Sequence, residues 1–93
     1  IKMKPTVVTL GLGYIGLPTS ALIASQGTNV LGVDINQKVV DTINQGKIHI
    51  VEPDLAEIVS KVVSNGFFKA STKIPIGRSC ILFDPVKIIS LPT

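Results

Sequence analysis

Apolar residues fall along this chain in short runs separated by glycine, asparagine and proline, and their spacing changes from run to run. Residues 6–10 (TVVTL) form an apolar, β-branched run that predicts a buried strand. A glycine-rich turn follows at once. Residues 17–26 then carry Leu17, Ala21, Leu22 and Ala24 at helical spacing. Pro18 stands near the start of this helix, where a missing amide hydrogen matters least, and Gly27 provides a stop. Residues 29–35 (NVLGVDI) predict a second buried strand. Residues 37–45 predict a second helix, with Val39, Val40 and Ile43 inward and Gly46 ending it.

A connector at 49–53 leads to a third helix that begins around Pro53-Asp54-Leu55 and runs to Ser64. Leu55, Ile58, Val59 and Val62 make its apolar stripe, and Asn65-Gly66 stops it. Residues 67–71 predict a short strand, and residues 86–91 (VKIISL) predict another. Between these two, residues 74–85 break the pattern, with Pro75, Gly77 and Pro85 around an apolar Cys80-Ile-Leu-Phe83. The expected order is β-α-β-α-α-β-β. Strands alternating with helices predict an α/β fold with a parallel sheet, right-handed crossovers and helices on both faces.

Length and composition narrow this picture. The chain has 93 residues, fewer than a two-half dinucleotide domain uses. Apolar residues make up 45% of it, and the mean hydropathy is +0.50. Such apolarity suits either a membrane-associated chain or a piece of a larger fold rich in core strands. A spanning helix needs about 18 consecutive apolar residues, whereas the run from Ile15 to Ala24 is interrupted by Gly16, Pro18, Thr19 and Ser20. The N-terminal IKMKP is followed by a strand pattern, not by a secretory leader. The formal net charge is +3, with scattered lysines and no aromatic interleaving, which argues against nucleic-acid binding. A single cysteine, Cys80, excludes an internal disulfide and fits a reducing compartment. One cysteine and one histidine do not make a zinc site.

The chemistry centres on Gly11, Gly13 and Gly16, spaced G-x-G-x-x-G between the first strand and the first helix. Gly11 permits the tight turn, Gly13 lets a pyrophosphate approach the backbone, and Gly16 lets the helix pack on the sheet. The amides of Tyr14 and Ile15 sit at the helix start, where free donors and the helix dipole favour an anion. Asp34 lies 23 positions after Gly11, at the end of the second strand. A carboxylate there accepts hydrogen bonds from the adenosine ribose hydroxyls and repels a 2′-phosphate, so NAD is expected over NADP. Lys38 is the nearest following cation. The alternative for Asp34 is a solvated residue or a cap for the next helix. Tyr14 either lines the crevice or caps the turn. His49 is read as a structural or surface residue ahead of a ligand or base. Glu52 either reaches toward a bound ligand or sits just before a helix start that welcomes its charge, and Cys80 is read as a small buried hydrophobe. No paired-carboxylate, Ser-His-Asp or Cys-His constellation is defensible. The residues describe a Rossmann-type fold, with only its first β-α-β-α-β half in these 93 positions. They leave open a noncatalytic dinucleotide-binding module and another Rossmann oxidoreductase, a flavin enzyme included.

The segments GLGYIGLPTS, GVDIN, DTINQGKIHIVEPDL and NGFFKAST resemble the UDP-glucose/GDP-mannose dehydrogenase family. The resemblance spans about 6–72 and resumes at 86–93 (VKIISLPT). It implies an NAD-dependent, two-step oxidation of the C6 alcohol of a UDP-amino sugar to a carboxylate, in a cytoplasmic homo-oligomer. By motif it implies cofactor contacts at Gly11, Gly13, Tyr14, Ile15, Gly16 and Asp34, and at Thr93 beside the family's fourth strand. The sequence departs from the family at 74–85, an insertion-like segment that lengthens the path to Thr93. The family's catalytic cysteine, lysine and asparagine match no position here, and Cys80 is not that cysteine.

Overall fold

A computed structural model describes residues 7–74 and 81–83. Four parallel strands, β1 (Val7–Leu10), β2 (Val30–Val33), β3 (Phe68–Ser71) and β4 (Ile81–Phe83), form one sheet in the order β3-β2-β1-β4. Three helices connect them: α1 (Gly16–Ser25) between β1 and β2, then α2 (Gln37–Asn44) and α3 (Leu55–Ser64) between β2 and β3. The first three expected strands and the three expected helices are present to within one or two residues, and Gly27, Gly46 and Gly66 follow the three helix ends.

Register explains the core. Val7 pairs with Val30, and Val30 with Phe68; two residues on, Thr9 pairs with Gly32, and Gly32 with Ala70. Strand alternation puts these six residues on one face. Val7, Val30, Phe68 and Ala70 join Leu17, Ala21 and Ala24 of α1, Val40 and Ile43 of α2, and Leu55, Val59 and Val62 of α3 in a single apolar cluster. Full burial of a side chain such as Phe68 contributes about 1.5–3 kcal/mol. All three helices therefore share this face. Among the described residues, the expectation of helices on both faces is met on one side only.

Several details differ from the periodicity. Leu22 and Ile58 were expected inward but are exposed. In α1 the positions facing the sheet are Gly16, Leu17, Ser20, Ala21 and Ala24. These mostly small residues bring the helix close to the strands, and the apolar Leu22 on the far side blurs any stripe. Ser20 donates a hydrogen bond to the Thr9 hydroxyl at 2.7 Å, and both are fully buried. The α3 helix begins at Leu55, after Asp54 in a left-handed conformation, not at Pro53. Asn44, at the end of α2, donates to the Ala70 carbonyl and accepts from its amide, both at 2.9 Å. The outer edge of β3 is thereby partly sealed by a side chain that imitates a neighbouring strand.

The largest difference is β4. The strand expected beyond β3 was 86–91, which lies outside the described residues. The strand that pairs with β1 is Ile81–Phe83, inside the 74–85 segment that the pattern set apart. Among the described residues, no helix is long and apolar enough to cross a membrane.

Candidate functional site

The strand order places the glycine turn. From β1 the chain steps through β2 to β3 on one side, while β4 lies on the other side of β1. The carboxyl end of β1 is thus the point where the strand order reverses, and a crevice for a ligand opens there in doubly wound sheets.

The turn is assembled from its first residue onward. The Gly11 amide donates to the Val33 carbonyl at 2.7 Å, which extends the β1–β2 ladder by one step. Gly11 then takes φ of +100°, a conformation that side chains other than glycine rarely adopt. Leu12 turns inward and is fully buried. Gly13, Tyr14 and Ile15 turn outward and are exposed. Gly16 brings α1 back over the turn, so close that a Cβ there would overlap the Gly11 carbonyl. A Cβ on Gly13, in contrast, would meet no protein atom within 4 Å. Gly16 is therefore needed by the fold, and Gly13 leaves open space above the turn.

The start of α1 is electrostatically open. Its N-cap residue, Ile15, supplies no side-chain hydrogen bond, and no acidic residue stands in the first turn. Among the described residues, no acceptor takes the amide hydrogens of Tyr14, Ile15 or Gly16. Free amides at a helix N-terminus suit a phosphate.

Asp34 stands at the end of β2, half-buried, and both of its carboxylate oxygens are engaged. Oδ2 accepts from the Leu12 amide at 3.0 Å, and Oδ1 accepts from the Asn36 amide at 2.9 Å. It is not the cap of α2; Asn36 fills that role by accepting from the Lys38 amide at 2.9 Å. Asp34 ties the glycine turn to the second strand, and each oxygen keeps lone-pair capacity for a further donor. Leu12 and Asn36 were not singled out from the sequence. Their part comes from backbone amides, which any residue carries, so no side-chain signal marks them.

The other expected residues are distributed as follows. Tyr14 and Ile15 are 65% and 62% exposed, so their side chains neither cap nor fill the turn. His49 and Glu52 are exposed. Thr93 and Cys80 lie outside the described residues. A cleft lined by Ala24, Gly27, Ile58, Val62 and Phe67 sits at the opposite end of α1 from the turn.

The family model of the UDP-glucose/GDP-mannose dehydrogenase NAD binding domain matches residues 5–93. The chain belongs to the UDP-glucose/GDP-mannose dehydrogenase family. The cofactor of the matched family domain is NAD, and the open amides, the space above Gly13 and the Asp34 carboxylate fit its pyrophosphate and ribose. The chain is 63% identical over 67 residues to UDP-N-acetyl-D-mannosamine dehydrogenase of Escherichia coli (strain K12), which covers 72% of the chain and 16% of that relative. It is 59% identical over 68 residues to NDP-N-acetyl-D-galactosaminuronic acid dehydrogenase of Ralstonia nicotianae, covering 73% and 16%. Among solved structures, UDP-N-acetyl-mannosamine dehydrogenase of Staphylococcus aureus superposes with a TM-score of 0.71 at 50% identity, over 73% of this chain and 16% of that one. A ternary complex of GDP-mannose dehydrogenase from Pseudomonas aeruginosa gives 0.72 at 34% identity over the same shares. The family chain described here thus spans about 16% of the length of the relatives it matches.

Proposed function

We propose that this chain is the cofactor-binding portion of a nucleotide-sugar 6-dehydrogenase that oxidises UDP-N-acetyl-D-mannosamine to its uronic acid. The supporting observation is the pairing of an uncapped α1 N-terminus with Asp34 anchored beside it. The substrate follows the naming of the E. coli and S. aureus relatives. The setting would be the cytoplasmic synthesis of a surface polysaccharide such as enterobacterial common antigen, in a homo-oligomer. Residues 1–93 are assigned to the first mononucleotide-binding half, with 74–85 as an insertion-like segment.

In this reading the amides of Tyr14, Ile15 and Gly16 donate to the pyrophosphate. Gly11 and Gly13 keep the space above the turn clear of side chains. Asp34 accepts from the adenosine ribose hydroxyls and disfavours a 2′-phosphate by like charge. Thr93 contributes a further contact beside the cofactor. NAD, when bound, supplies the hydride acceptor; the UDP-sugar is held by the parent enzyme's other parts.

Calorimetric titration of the folded chain with NAD and with NADP tests this. Saturable NAD binding is expected, with NADP weaker by about tenfold or more, the effect of one unfavourable charged contact. Asp34→Ala is expected to abolish the preference, and Asp34→Asn, which keeps an acceptor oxygen for the turn, separates ribose recognition from folding. An NADP preference, or NAD binding indifferent to Asp34, would overturn the assignment.

A further inference from the structure

We infer that Gly32, which lies inside β2 and carries no side chain to offer a ligand, is a positioning residue for the cofactor and acts through Leu12. The inference rests on the NAD-binding reading above and extends it to a residue beneath the site. Glycine weakens a strand interior and often marks a place where another group comes close. Here that group is the Leu12 side chain. A Cβ at position 32 would lie 2.6 Å from Leu12 Cδ2, 2.9 Å from Leu12 Cδ1 and 3.1 Å from Phe68 Cε1.

Leu12 is fully buried, and so is Phe68 behind it. Both Leu12 methyls sit over Gly32, so exchanging one for the other by rotation relieves nothing. The same residue donates its amide to Asp34 Oδ2 at 3.0 Å. Its side chain and its amide are therefore two ends of one link. The side chain plugs the hollow above Gly32, and the amide holds the carboxylate that faces the ribose. Adding a methyl at position 32 pushes the plug outward, lifts the turn between Gly11 and Gly13, and releases Asp34 from its anchor. Asp34 itself is two residues along β2 from Gly32, on the other side of Val33, so Gly32 reaches it through Leu12 and not by direct contact.

The link predicts a specific reversal. Leu12→Val removes both clashing δ carbons, so Gly32→Ala/Leu12→Val restores what Gly32→Ala disturbs. Two readouts on the folded full chain test this. The first needs no ligand: amide hydrogen exchange at Leu12, read by NMR, is expected to accelerate in Gly32→Ala and to return in the double variant. The second compares NAD with its analogue lacking the adenosine 2′-hydroxyl. The unchanged chain should prefer NAD by about tenfold, the worth of one hydrogen bond to a charged group. Gly32→Ala should lose that preference, and the double variant should regain it.

A merely structural role would weaken both ligands equally, and that result would overturn the inference. So would an unaltered Leu12 exchange rate in Gly32→Ala, or a double variant as impaired as the single one. Should Gly32→Ala fail to fold, recovery of fold and preference in the double variant upholds the link, and failure of both variants overturns it. Failure of the unchanged chain to bind NAD defeats the cofactor reading and this inference together. NAD preference retained in Gly32→Ala, with normal binding by the unchanged chain, defeats only this one.

Discussion

The helices α1 and α2 follow neighbouring parallel strands and so begin at the same edge of the sheet, yet they are started in opposite ways. The first turn of α2 is closed by its own sequence, because the Asn36 side chain accepts from the Lys38 amide. The first turn of α1 is left open, with Ile15 at the cap position making no side-chain hydrogen bond and no acidic residue within the turn itself. The burial differs in parallel. The α2 helix buries Val40 and Ile43, with Val39 packed beside them against the core. The α1 helix is held by close approach, through Gly16 against Gly11 and the buried Ser20–Thr9 hydrogen bond. A helix that satisfies its own terminus can be local in origin. A helix that leaves its terminus free must be fixed by the rest of the fold, and its free donors then face whatever enters the crevice.

Breaking the close approach should have the largest effect. Gly16→Ala forces a methyl into the Gly11 carbonyl, and a loss of about 1–3 kcal/mol or more in urea unfolding is expected, with NAD binding lost alongside it. Gly13→Ala sharpens the contrast, since its methyl would project into open space within the protein. Stability should change by less than about 1 kcal/mol, while NAD affinity falls by about tenfold or more if, as proposed, the pyrophosphate approaches the backbone there. Equal losses in stability and affinity would remove the distinction drawn between the two glycines. The smallest effect on binding is expected at the closed helix. Asn36→Ala removes the α2 cap at a cost of about 1 kcal/mol in thermal or urea unfolding. The backbone amide that serves Asp34 survives that change, so NAD affinity should stay close to that of the unchanged chain. A large loss of affinity would mean that the two helix starts are not independent.

Much of this contrast is visible in the primary structure, because its parts are local. The three glycines, the strand before them and Asp34 at the end of the next strand are contiguous signals with fixed offsets. The α2 face is legible because Val39, Val40 and Ile43 stand at helical spacing among the polar Gln37, Lys38, Asp41, Thr42 and Asn44. The α1 face is not. Its sheet-facing residues are small, and Leu22 on the outside is more apolar than Ser20 on the inside, so hydropathy points the wrong way. Ile58 misleads similarly in α3. The β4 strand is short, and Pro75, Gly77 and Pro85 around it resemble an interruption; its pairing with β1 depends on residues more than 70 positions apart. Gly32, read alone, is a weak point in a strand. Only the descent of Leu12 onto it gives it a purpose. Asn44 is likewise an ordinary polar residue until Ala70 arrives beside it.

Asp34 carries an evolutionary consequence. Its carboxylate anchors the turn through Leu12 and continues the chain toward α2 through Asn36, and on the proposed reading it also meets the ribose. A lineage drifting toward a phosphorylated cofactor cannot simply discard this acid, because the same change unties the turn that would receive the new ligand. A replacement anchor for the Leu12 amide has to come first, or together with it. On that reading, the architecture itself would hold the preference for one cofactor in place, even without selection on the cofactor.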